Sequence, residues 1–129
     1  MAITRFTRAR AIQVNAAGGT YTLDYTIPDG YEFEVRELFA SSDTSAVVVE
    51  LLYSSDGGST WTNPWDEGSG HLLKLFLGAY IPASGKPDAT WFSGSGENVL
   101  IRIKITNNHP TTNANIFWLV KAFERDNEN

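Results

Sequence analysis

The chain has 129 residues, of which 42% are hydrophobic and 19% charged, and this balance predicts one folded domain over residues 1–129. Its formal net charge of −5 argues against a general nucleic-acid binder, which needs a basic surface. The absence of cysteine excludes disulfides and thiolate metal sites. No apolar run approaches the roughly 20 residues of a membrane span, and the first residues lack the apolar core of a signal peptide. We therefore expect a chain made in the cytosol that binds neither nucleic acid nor membrane.

Positive charge is concentrated in the first segment of the chain. Arg5, Arg8 and Arg10 are basic, and residues 1–14 contain no acidic residue. An acidic chain that collects positive charge at one end predicts a docking arm for an acidic partner surface. The same pattern also fits an edge strand whose arginines face water, so residues 1–14 are interpreted as either an arm or an edge strand. The apolar residues that would anchor either structure are Ile3, Phe6, Ile12 and Val14.

Residues 20–27, TYTLDYTI, alternate apolar and polar side chains, which predicts a half-buried strand. The turn signal PDG follows at 28–30, and YEFEVRELFAS then reads as the second arm of a hairpin. The alternation of this arm is interrupted at Glu37, before Leu38 and Phe39. The interruption indicates either a β-bulge or an inward Glu37 with a partner, and we favour the bulge because an inward carboxylate without a partner is costly.

Residues 47–54 form a further alternating strand, which runs into the motif SSDGGSTW at 54–61. The spacing Ser-x-Asp-x-Gly-x-Thr-Trp resembles the Asp-box hairpin of sialidases and of many other β-proteins, and it implies a structural turn without a catalytic role. Asp56 is expected to accept hydrogen bonds from the turn, and Gly58 to adopt a positive φ. The predicted turn residues are Ser54, Asp56, Gly58, Thr60 and Trp61.

Two later segments, 71–81 and 116–123, are apolar on both faces, whereas 99–106 alternates cleanly. About eight strands separated by Gly, Ser, Asn and Pro clusters predict an all-β antiparallel sandwich, a jelly roll in the first instance and an immunoglobulin-like topology as the alternative. A strand face turned to water is normally polar, so the doubly apolar strands indicate either coverage by loops or a protein interface. The predicted interface residues are Leu72, Phe76, Tyr80, Phe117, Leu119 and Phe123.

No pattern of catalytic or metal-binding residues is present. The two histidines, His71 and His109, lie in unrelated contexts, and neither a nucleophile elbow nor a phosphate loop occurs. We predict a protein that is not an enzyme and that needs no cofactor or metal. Aromatic side chains beside polar loop residues can also hold a sugar ring. The candidate glycan contact is Asn63, Trp65 and Asp66.

Taken along its length, the chain resembles the small β-sandwich virion proteins of tailed bacteriophages. The resemblance rests on four features in chain order. They are a short polar N-terminal segment, the stretch IPDGYEFEVRELFAS at 27–41, a strand that leads into YSSDGGSTWT, and a last apolar strand that ends in a short charged tail. It implies a capsid decoration or cement protein that is made in the host cytoplasm and resides in the virion. It also implies a homo-oligomer, favouring a trimer, that binds a major capsid or other virion protein. Two other classes remain open, a carbohydrate-binding module of a phage tail or bacterial surface and a small enzyme.

Overall fold

A computed structural model describes residues 3–66, 73–87 and 90–126. Their alternating sequences form nine strands and one short 3-10 helix, Pro64–Asp66. No helix within these ranges is long and apolar enough to cross a membrane. The strands, in chain order, are β1 Ile3–Val14, β2 Gly19–Thr26, β3 Tyr31–Ser42, β4 Val47–Ser54, β5 Lys74–Leu77, β6 Ala83–Gly85, β7 Trp91–Ser93, β8 Leu100–Asn107 and β9 Ala114–Asp126.

The strands form two antiparallel sheets. Sheet A has the order β1-β9-β3-β6, with β7 also paired to β3, and sheet B has the order β2-β8-β4-β5. The short strands β6 and β7 pair with different parts of β3, so together they occupy one position. This arrangement has eight strand positions in two four-position sheets, which confirms the predicted jelly roll and rules out the immunoglobulin-like order.

The core lies between the sheets and is built from the inward residues of each alternating strand. Trp118 at the centre of β9 is 1% exposed, and Phe33 on β3 and Leu51 on β4 are buried to the same extent in this core. On β8 every second residue is buried, from Ile101 to Asn107. Burial at period two is the pattern that the sequence predicts for these strands.

The predicted bulge is present on β3. Val35 pairs with Ala122 and Glu37 with Lys121, so Arg36 is the extra residue that has no position opposite on β9. The insertion shifts the alternation by one residue, which buries Leu38 and turns Phe39 outward. Glu37 therefore faces outward as well, with its carboxylate 3.8 Å from Lys121 Nζ.

One predicted strand is shorter than expected. Of the segment 71–81, only Lys74–Leu77 is in β5, and a tight turn follows in which the Ile81 N–H donates to the Gly78 carbonyl at 3.3 Å. Tyr80 therefore belongs to a turn and not to the strand face that carries Phe76. His71 and Leu72 lie outside the described residues.

Candidate docking face

The outer face of sheet A is apolar over half of its length. Cross-strand neighbours place Ala11 and Ser41 on either side of Phe117, and the next row carries Leu119. The side chains of β1 in this region are small and do not cover Phe117, which is 39% exposed at the middle of the sheet. We name this region the docking face, and its residues are Ala9, Ala11, Phe39, Phe117, Leu119 and Tyr80.

Aromatic rings form the centre of the docking face. Phe39 pairs with Leu119 across the strands, and its ring meets Phe117 edge-on with centroids 6.2 Å apart. Two exposed or half-buried rings on a sheet surface hold apolar area in contact with water. Phe39 was not among the predicted interface residues, although the bulge at Arg36 supplies the phase change that turns it outward.

Tyr80 projects beside this face from the turn between β5 and β6. Its φ of 60° lies in the left-handed region, which is a strained conformation for a bulky residue. The Tyr80 N–H donates to the Ser42 carbonyl at 2.7 Å, which fixes the turn to the end of β3. The side chain is 80% exposed and lines an open groove with Pro82 and Phe117. An aromatic residue is therefore held in water at a cost in backbone energy.

Polar groups border the groove at its far end. The Asp43 carboxylate accepts from the Asn115 backbone N–H at 2.9 Å and from the Asn115 side-chain amide at 2.8 Å. These two hydrogen bonds hold the pKa of Asp43 below its ordinary value, with the side-chain bond the larger cause. Gln13 donates to the Asn115 side chain at 3.4 Å, so the polar border joins β1, β9 and the end of β3.

The other half of the outer face of sheet A is charged. Glu34 is buried, and its carboxylate accepts from Arg36 at 2.7 Å. The Arg36 guanidinium also lies 5.1 Å from the centre of the Phe123 ring, so it covers part of that ring. Phe123 is therefore half-buried under its own chain, which separates it from the more open Phe117.

Sheet B has a different outer face. Arg102 donates to both oxygens of Asp24, at 2.7 and 3.0 Å, and this pairing raises the pKa of Arg102. Lys74 approaches Glu50 at 3.8 Å. Phe76 on the edge strand β5 is 67% exposed and lies opposite Val48, so apolar side chains also occur on this face. The described members of the predicted interface are thus divided between the two sheets and the turn.

The Asp-box turn is an ordered structure at the end of β4. The Ser54 hydroxyl donates to Asp56 at 2.8 Å and accepts from the Gly58 N–H at 2.9 Å. Asp56 also accepts from the Thr60 N–H at 2.9 Å and from the Thr60 hydroxyl. These bonds, that from the Thr60 hydroxyl foremost, lower the pKa of Asp56 to about 2. Gly58 has a φ of 93°, and a Cβ there would lie 3.4 Å from the Trp61 ring.

Trp61, Trp65 and Trp91 each contact a side chain of the same chain. Arg102 stacks 4.1 Å from the ring centre of Trp61, and Arg125 stacks 3.7 Å from that of Trp91. Trp65 is 5% exposed and packs edge-on against Phe92. Its indole face is therefore not offered to a sugar ring, which corrects the stacking role expected from the sequence. Asn63 precedes the 3-10 helix, and the side chain of Asp66 lies outside what the structure describes.

The arginines predicted as a docking arm lie on β1, which is the edge strand of sheet A and pairs with β9 over its whole length. Arg5 pairs with Phe123 and faces outward, whereas Arg8 and Arg10 pair with Val120 and Trp118 and point toward the open side of the sandwich. All three are exposed. The Arg8 guanidinium lies 5.3 Å from the Phe6 ring centre and 5.9 Å from that of Tyr25.

Catalytic groups are not brought together in the described ranges. His109 accepts the backbone N–H groups of Thr111 and Thr112 at its Nδ1, at 3.2 and 3.0 Å, which is a structural loop role. No group of three or more His, Asp or Glu side chains that could hold a metal ion occurs among the residues that the structure describes.

Comparisons with known proteins show the fold alone. No protein-family model and no curated protein matches the chain. A chain in the structure of infectious bursal disease virus Gx strain is 13% identical with a TM-score of 0.50, over 99% of this chain and 33% of that one. The Gt strain structure gives 11% identity and a TM-score of 0.52, over 95% and 32%. PirA gives 13% identity and a TM-score of 0.51, over 88% and 92%. This chain spans about a third of the length of the two infectious bursal disease virus chains.

Proposed function

We propose that this chain is a structural protein of a virion, specifically a capsid decoration or cement protein of a tailed bacteriophage. The docking face carries the proposal, because Phe39, Phe117 and Leu119 lie side by side on the outer face of one sheet, beside the exposed Tyr80. The jelly roll supports it, since viral chains of similar fold exist. The resemblance of the sequence to phage virion proteins supports the phage assignment.

In this proposal the docking face binds a shell protein or a neighbouring copy, and the protein acts without enzymatic chemistry. Phe117 and Leu119 supply apolar contact area, and Tyr80 supplies an anchor that enters a pocket of the partner. Homo-oligomerisation, with a trimer favoured, would place several such faces on one shell position. The carbohydrate-binding alternative receives less support, because the tryptophans stack on or pack against residues of their own chain.

Attachment to phage shells assembled without this protein tests the proposal. The intact chain should bind such shells, and Phe117→Ser should weaken attachment by about tenfold or more, as expected for a central interface aromatic. Phe76→Ser makes the same exchange on sheet B and serves as the matched control. Sedimentation of the intact chain reports the oligomeric state in parallel. Failure of the intact chain to attach, or equal weakening by both variants, would contradict the docking face.

A further inference from the structure

The strand β1 is an unusually regular edge. Its twelve residues pair with β9 without a register shift, and they contain neither proline nor glycine. Every residue from Thr7 to Ala11 is exposed, whichever face its side chain is on. The side of β1 that faces away from β9 thus presents a row of backbone N–H and C=O groups to a further strand. We call this side the β1 edge.

The charge of the β1 edge differs from that of the remaining chain. Its strand carries Arg5, Arg8 and Arg10 and no acid, whereas all other residues together hold seven basic and fifteen acidic side chains. Among the described residues, the ion pairs involve arginines and lysines of other strands and none of these three. No carboxylate in the described part of the chain therefore neutralises their charge, and Arg8 lies over the rings of Phe6 and Tyr25.

A second copy of the chain does not suit this edge. Pairing β1 with β1 would bring two sets of three arginines to within one strand spacing of each other, about 4.8 Å between backbones. Like charges across a strand pair are destabilising, and charged side chains on an edge are a common protection against self-pairing. The same charges favour a strand that carries carboxylates at complementary positions.

We propose that the β1 edge binds an extended acidic segment of another protein by strand addition. Backbone hydrogen bonds would supply the binding, and carboxylates opposite the arginines would select the segment. Arg8 and Arg10 lie on one face of β1 and Arg5 on the other. The matching segment therefore carries two acidic residues two positions apart on one face, and a third on the opposite face. This surface uses the strand edge and does not depend on the function proposed for the docking face.

Synthetic peptides test the proposal on the intact protein. The probe is the peptide TVETETVEVT, with TVKTKTVKVT as its charge-reversed control and an acidic version N-methylated at alternate backbone amides as its hydrogen-bonding control. Nuclear magnetic resonance titration should shift the backbone amides of residues 4–13 with the acidic peptide. Hydrogen exchange of the β1 backbone N–H groups that point away from β9 should become slower when the peptide binds. Arg10→Glu should weaken binding of the acidic peptide by about tenfold, because a charge pair is lost. High salt should weaken the binding as well, because it screens the charges.

Lys104→Glu makes the same charge change on the outer face of sheet B and should leave peptide binding unchanged within about twofold. Phe117→Ser should also leave it unchanged, which separates this surface from the docking face. Equal binding of the N-methylated peptide would overturn strand addition, and this comparison needs no variant. If the oligonucleotide dT10 bound more tightly than the acidic peptide, the proposal that the partner is an acidic protein segment would be wrong. Self-association abolished by Arg10→Glu would identify a second copy as the occupant and overturn the proposal too.

Discussion

The outer faces of the two sheets have the same strand geometry and different chemistry. The outer face of sheet B carries threonines and ion pairs together with Val48 and Phe76, whereas Phe39, Phe117 and Leu119 lie side by side on sheet A. Both faces belong to antiparallel sheets whose inner faces are equally apolar. Folding alone requires only the inner faces, and the apolar surface of sheet A is therefore the basis of the docking role proposed above.

The ion pairs of the two faces should differ most in their contribution to stability. Arg36→Ala would leave the Glu34 carboxylate, which is 4% exposed, without its partner. We expect the free energy of unfolding to fall by about 2 kcal/mol, since a buried charged group loses its hydrogen bond. Urea unfolding measures this change.

The matched substitution on sheet B is Asp24→Ala, where both partners are about one third exposed. We expect Asp24→Ala to lower the free energy of unfolding by less than about 1 kcal/mol, because water screens the charge of the remaining Arg102. Equal losses from the two substitutions would mean that Glu34 is as well solvated as Asp24, and the contrast between the faces would fail.

Replacing Tyr80 by glycine should raise the stability of the fold and weaken binding through the docking face. Tyr80→Gly removes a side chain from the left-handed region, and we expect a gain of about 1 kcal/mol or less, after the greater chain entropy of glycine. The same change should weaken shell attachment. Ala46→Gly relieves a similar φ of 63° at a site outside the docking face. Thermal unfolding and attachment of both variants test this, and a Tyr80→Gly variant that binds fully would remove Tyr80 from the docking face.

The smallest expected effect concerns the Asp box beside sheet B. The folded chain holds the pKa of Asp56 at about 2, below its ordinary value of 3.8. The ionised carboxylate therefore stabilises the fold above about pH 4, and this contribution is lost as the pH falls toward 2. We expect Asp56→Asn to lower the melting temperature at pH 6 and to have a diminishing effect down to pH 2. A difference that is constant over this range would contradict the ionised anchor.

Local patterns in the sequence were sufficient for the fold class and for most of the long strands. Period-two alternation marks β2, β4 and β8, and the interruption at Glu37 marks the bulge. The Gly78–Ile81 turn escaped prediction because Ala79 and Tyr80 are not turn-forming residues, and Tyr80 adopts its φ against its own preference. An apolar segment with a single glycine reads as continuous strand.

The docking face could be predicted only in part. Phe117 and Leu119 follow from the double apolar character of their own strand, but nothing local says that Ala9 and Ala11 lie beside them. Pairing between the two ends of a chain is a long-range property. The burial of Trp65 is likewise tertiary, because Phe92 that covers it comes from a distant strand.

The pairing of β1 with β9 also sets the order of events during synthesis. Strand β1 can pair with its neighbour only after β9 has been made, since Ile3 pairs with Arg125 and Val14 with Ala114. Such distant pairing forms slowly relative to local structure. Two of the six docking-face residues, Phe117 and Leu119, come from β9, so a chain that lacks β9 cannot present the complete face. If the docking face acts as proposed, binding through it therefore requires that the strand carrying Phe117 has been added.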